Sequence, residues 1–137
     1  MKQPKVVHIQ YKTTAVSPDY RLHKVFLKSG IESNIISLTP NIQGNESVFE
    51  TGRKGRWIAK VDTIIQSRLV KDFDTKSGSF SYPVIGSDLS KMEQVEDADL
   101  IYLHWVLNGF MNLRSIEKLA RLKKPIILYM HDTWTIT

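Results

Sequence analysis

Two short segments hold the residues best suited to chemistry: His104-Trp105, and His131-Asp132-Thr133-Trp134. Each follows an apolar run, Leu100-Ile101-Tyr102-Leu103 in one case and Pro125 through Met130 in the other. Such short, non-alternating runs of branched and aromatic residues suit strands buried on both faces of a parallel sheet. In an open α/β sheet, ligands bind in the crevice beyond the carboxyl ends of the strands. Two imidazoles, a carboxylate and two indoles are therefore expected at one ligand edge. A metal site of two histidines and one carboxylate uses these residue types. However, His131 and Asp132 are adjacent and point to opposite sides of an extended chain, so no metal is expected. Trp105 and Trp134 suit stacking on a sugar face or closing a loop; burial against helices is the plain alternative.

Three further features lie near the same edge. Thr13, Thr14 and Ser17 precede a helix start and offer hydroxyls and amides to an anion; a plain capped loop is the more ordinary reading of them. That loop has no glycine from Tyr11 to Asp19, so a backbone cradle for a dinucleotide pyrophosphate is absent and no Walker A pattern replaces it. Arg21 stands near the helix start, either meeting phosphate or simply solvated. Asn108-Gly109 marks a turn.

The elements that position these groups alternate. Lys5–Gln10 reads as the first strand, rich in β-branched residues. Ser17-Pro18-Asp19 opens a helix as cap, first-turn proline and first-turn acid. Its expected apolar face is Tyr20, Leu22, Val25 and Phe26, and Gly30 stops it. The second strand falls within Ile31–Leu38. Residues 40–55 read as an exposed loop. A helix follows over 56–73, with Trp57, Val61, Ile64, Ile65 and Leu69 as a stripe and Lys60, Arg68 and Lys71 on or beside the other face. Such a stripe usually faces its own core; an anionic membrane surface is the other partner it fits. Phe80–Ile85 is the expected third strand, an edge given Pro83, and residues 89–95 a short helix. Asn112 caps a last helix with Leu113, Ile116, Leu119, Ala120 and Leu122 inward. Its final turn carries Arg121, Lys123 and Lys124. The pattern predicts an α/β fold: a Rossmann-like, doubly wound parallel sheet ordered 3-2-1-4-5 with helices on both faces.

Composition sets the outer bounds. A chain of 137 residues, 42% hydrophobic and 24% charged, suits one globular domain over 1–137. It has no cysteine, which excludes disulfides, thiolate metal sites and a thiol nucleophile. The start Met1-Lys2-Gln3-Pro4-Lys5 leads into too few apolar residues for a signal peptide, and no run approaches a membrane span. A cytoplasmic location is expected, with peripheral attachment at the inner face of the membrane left open by the 56–73 helix. The net charge of +5 comes without any nucleic-acid-binding signature, so no nucleic-acid partner is expected.

Taken together, Ala98–Trp105, Asn108-Gly109-Phe110, Lys124–Ile127 and His131-Asp132-x-Trp134-x-x-Thr137 resemble the N-terminal domain of family-4 glycosyltransferases of bacterial polysaccharide synthesis. Tyr20–Lys24, ending at Gly30 and followed by Glu32-Ser33, resembles that domain's first helix. The resemblance implies one half of a GT-B architecture, two Rossmann-like domains across a cleft, with the acceptor bound mainly by this half. A saccharide or lipid-linked acceptor is implied. The nucleotide-sugar donor is implied on a second domain, and neither cofactor nor metal is required. By position, His131 matches the histidine that reaches the reacting sugar, and Asp132 and Trp134 belong to its motif. His104, Trp105, Asn108 and Gly109 match a rim motif. The chain departs from the family in its glycine-free first loop. It also stops at Thr137, within the motif, so half an enzyme, inactive alone, is expected. The rival reading is a stand-alone, non-catalytic flavodoxin-like module that binds a partner or saccharide.

Overall fold

The computed structural model describes residues 3–71 and 81–130. Its centre is a parallel sheet in which β1 (Lys5–Gln10) lies between β2 (Glu32–Ser37) and β4 (Leu100–Leu103). β3 (Val48–Glu50) extends the β2 side and β5 (Ile126–Leu128) the β4 side. The order is therefore 3-2-1-4-5, as the alternation of strands and helices predicts. The connecting helices are α1 (Pro18–Lys28), α2 (Gly52–Leu69), α3 (Glu93–Asp97) and α4 (Leu113–Ala120).

One side chain parity of the sheet builds the apolar core. Val7 and Ile9 of β1 meet Ile36 of β2 and Ile101 and Leu103 of β4, together with Phe110, Met111 and Leu119, all essentially without solvent contact. Burial of such side chains is worth roughly 1.5–3 kcal/mol each and dominates the stability of the domain.

Several expectations need correction. The third strand is Val48–Glu50, inside the stretch that reads as loop; Phe80 lies outside the described residues and residues 81–85 form no strand. Three residues give no visible periodicity, and β3 exists because it pairs with β2, Ile35 opposite Val48. The 81–85 segment is held differently. Asp62 Oδ1 accepts the backbone N–H groups of Val84 and Ile85, each at 2.8 Å, and Gln66 Oε1 accepts that of Tyr82 at 2.8 Å. Side chains of α2 thus do what a neighbouring strand would do.

This bonding sets the rotation of α2. Its inward face is Gly55, Ala59, Asp62 and Gln66. The stripe expected to face the core is therefore partly turned outward: Trp57 is 65% exposed, Ile64 46% and Leu69 57%. The face of α1 is corrected in the same sense, since it buries Asp19 and His23 while Val25 is exposed. Leu113 of α4 is also exposed. β5 is one of the two sheet edges, and Ile127 and Leu128 are exposed rather than covered on both faces.

Helix ends follow local chemistry. Asn112 caps α4 as expected, its side chain accepting from the Ser115 N–H. Ser17 occupies the cap position of α1 but makes no side-chain cap bond. Instead its hydroxyl staples the preceding loop, accepting from the Thr14 N–H and donating to the Thr14 carbonyl. Lys124 serves α3 rather than its own helix, its ammonium donating to the carbonyls of Val95, Glu96 and Ala98 at that helix end.

Candidate functional site

The strand order reverses between β1 and β4, and such a switch point is where doubly wound sheets hold ligands. Beyond the last ladder residues the two chains stay joined. The Tyr11 N–H donates to the Trp105 carbonyl at 2.8 Å, and the Trp105 N–H to Gln10 Oε1 at 2.8 Å. This pins the side chains of Tyr11 and Trp105 edge to face, ring centroids 5.3 Å apart. Both are half-buried, so the pair presents an aromatic surface at the switch point without being sealed in the core.

The neighbouring loop is rigidly closed. Asn41 donates its backbone N–H to the Thr13 carbonyl, and Thr39 donates to that of Tyr11. Thr13 is buried, and its hydroxyl donates to Asp19 Oδ2 at 2.6 Å. Asp19 is itself fully buried in the first turn of α1. An anion at this helix N-terminus would meet a carboxylate already there. The chain has placed its own negative charge where the amide dipoles favour one. Thr14 bridges to Asn41, with its N–H taken by Ser17. Arg21 is exposed on α1.

His104 is brought to the same edge, but into the protein. It is 1% exposed, and its Nε2 lies 3.1 Å from Nδ1 of His8. Its ring also packs against Tyr102 and Tyr129. His8 in turn stacks on Tyr102 and on Phe26 of α1 and meets the ring of His23 edge-on. The His23 ring bonds Ser33 through Nδ1 at 2.8 Å. A polar seam thus runs under α1, from the Thr13–Asp19 pair through His23 and His8 to His104. Burial, then the neighbouring His104 and His23, push His8 down to about 3. Burial lowers His23 too, against the opposing charge of Asp19. The imidazoles of His8 and His23 are therefore neutral at pH 7.

Asn108 and Gly109 form their turn with positive φ at both residues. A Cβ on Gly109 would stand 2.7 Å from the Ala59 carbonyl of α2, so the turn lets that helix approach closely. His131, Asp132 and Trp134 lie outside the described residues. Of the sequence candidates, the structure gathers Trp105, His104, Thr13 and Thr14 at the β1–β4 edge. Arg21 stands outside the polar seam, and Asn108-Gly109 packs against α2.

Four members of the edge escape a reading for apolar stripes: Tyr11, His8, Asp19 and His23. A signal was present. Val6, His8 and Gln10 share one parity of β1, and Asp19 and His23 are four residues apart on one helix face. Polar residues at these core-facing positions mark a polar seam rather than a break in the element. Among the described residues, no cluster of histidines and carboxylates could hold a metal ion, and no helix is long and apolar enough to cross a membrane. Compared with family models, characterised proteins and solved structures, the chain matches none of them.

Proposed function

We propose that this chain is the acceptor-side domain of a glycosyltransferase, holding the saccharide or the sugar of a lipid-linked acceptor that receives a residue from a nucleotide-sugar donor. The observation that carries the reading is the contrast within one edge. The switch point offers the Tyr11–Trp105 aromatic pair, a surface suited to a sugar face. The adjacent helix N-terminus already holds the buried carboxylate of Asp19, which accepts from the Thr13 hydroxyl. That combination accepts a neutral saccharide and repels a diphosphate, as the acceptor half of a two-domain transferase requires. Holding both reactants in reacting geometry would be shared with a donor-binding domain. The resemblance of residues 98–110 and 124–137 to the family-4 N-terminal domain points the same way.

The test is a binding survey of the chain with oligosaccharides, lipid-linked sugars and nucleotide sugars. A saccharide ligand is expected to bind, with about tenfold weaker binding to Trp105→Ala, the loss of one aromatic contact of about 1.4 kcal/mol. Nucleotide sugars are expected not to bind. Tight binding of a nucleotide sugar, or saccharide binding indifferent to Trp105, would overturn the reading.

A further inference from the structure

The outward face of α2 combines exposed cations with exposed apolar side chains. Its inward residues, Gly55, Ala59, Asp62 and Gln66, fix which side meets solvent. The opposite stripe, at helical spacing, is Arg53, Trp57, Lys60, Ile64 and Arg68, continued by Lys71 just after the helix. All six are exposed. The only acid in α2 is Asp62, and it is buried under the helix. Among the described residues, none of these four cations has an ion-pair partner; the nearby Arg56 differs, being paired with Glu50.

Two features of this stripe select its partner. It is purely cationic, so its complement is anionic. Its centre line is an indole and a branched aliphatic side chain, both of which lose solvent-exposed apolar area only if the partner has an apolar layer beneath its charge. A bilayer of anionic lipid has that order: phosphate outside, hydrocarbon a few ångströms below. Lysine and arginine stems reach along the apolar surface while their heads stay at the phosphates, and tryptophan favours the headgroup level. A helix of 18 residues is about 27 Å long, enough to lie flat with Trp57 and Ile64 pointing into the boundary. Nucleic acid would use the cations but leave Ile64 without a role.

We propose that α2 is a membrane-surface helix, docking the protein in-plane on anionic lipid through Trp57 and Ile64 with Arg53, Lys60, Arg68 and Lys71 at the phosphates. This rests on α2 alone and stands apart from the saccharide edge.

The test is co-sedimentation of the chain with phosphatidylcholine vesicles and with vesicles containing phosphatidylglycerol, at low and high salt. Binding is expected on the anionic vesicles only, weakened by salt, with a blue shift of tryptophan emission that Trp57→Ser removes. Each cation lost is expected to weaken binding about fivefold, so Lys60→Glu with Arg68→Glu abolishes sedimentation. These positions are exposed, and unchanged circular dichroism and melting of the variants verify that folding is intact. Equal binding to neutral vesicles, no binding to anionic ones, or binding that survives the charge reversal overturns the proposal. So does binding of single-stranded RNA by a chain that ignores anionic vesicles.

Discussion

Lowering the pH from 7 to 5 should destabilise the fold through His8. This side chain is fully buried between β1, β4 and α1, and its folded pKa is about 3 against an ordinary 6.5. The neutral form is the folded form. The stabilisation is complete above pH 6.5 and is lost as pH falls from there toward about 3, because the unfolded chain takes up a proton that the folded chain refuses. A factor of ten in proton affinity is about 1.4 kcal/mol. Folding therefore loses about 2 kcal/mol between pH 7 and pH 5 at this one position, and about 4 kcal/mol by pH 3. His23, lowered by burial, adds in the same direction. A domain of ordinary stability has about 5–15 kcal/mol to lose, so the midpoint of thermal unfolding should drop by roughly 5–10 °C over the first interval. The assay is urea and thermal unfolding at several pH values, beside His8→Asn, which keeps a hydrogen-bonding group near the Nδ1 position but cannot titrate. The variant should show the shallower pH dependence. In parallel, the ring resonances of His8 should not move between pH 7 and pH 5. A His8 titration near 6.5, or a variant with the full pH dependence, would refute the reasoning.

Other outcomes follow from packing. Gly109→Ala sets a Cβ against the Ala59 carbonyl at a residue with φ of +78°; a loss of about 2–4 kcal/mol is expected in urea unfolding, and a neutral result would mean α2 does not approach this turn. Asp62→Ala removes the acceptor of the Val84 and Ile85 amides and a partner of Gln66. It should cost about 3–5 kcal/mol and speed amide exchange at Val84 and Ile85. Asp62→Asn, which keeps the oxygen without the charge, should recover part of both; equal effects of the two variants would contradict the bonding described.

The sheet order was legible because β1, β4 and β5 carry short apolar runs, β2 has Ile35-Ile36 at its centre, and helical stretches alternate with them. β3 was hidden because Val48-Phe49-Glu50 is too short to show a period and exists through its pairing with β2. The helix faces misled for a different reason. Hydrophobic periodicity assumes that the inward face is apolar. In α1 that face carries Asp19 and His23, matched by Thr13 and Ser33. In α2 it carries Asp62 and Gln66, matched by amides some twenty residues along the chain. Those partners become visible only once the chain is folded. The site was partly legible for the same reason: Trp105 and His104 follow an obvious strand, whereas His8 sits inside one and Tyr11 gains its place by facing Trp105.

The most direct test of the proposed saccharide edge is amide and indole chemical-shift mapping of the chain by NMR during titration with the best saccharide from the binding survey. Saturable shifts are expected at Tyr11, the Thr13–Ser17 loop and the Trp105 indole, with none on α2. Shifts centred elsewhere in the fold, with the Trp105 indole unmoved at saturation, would contradict it.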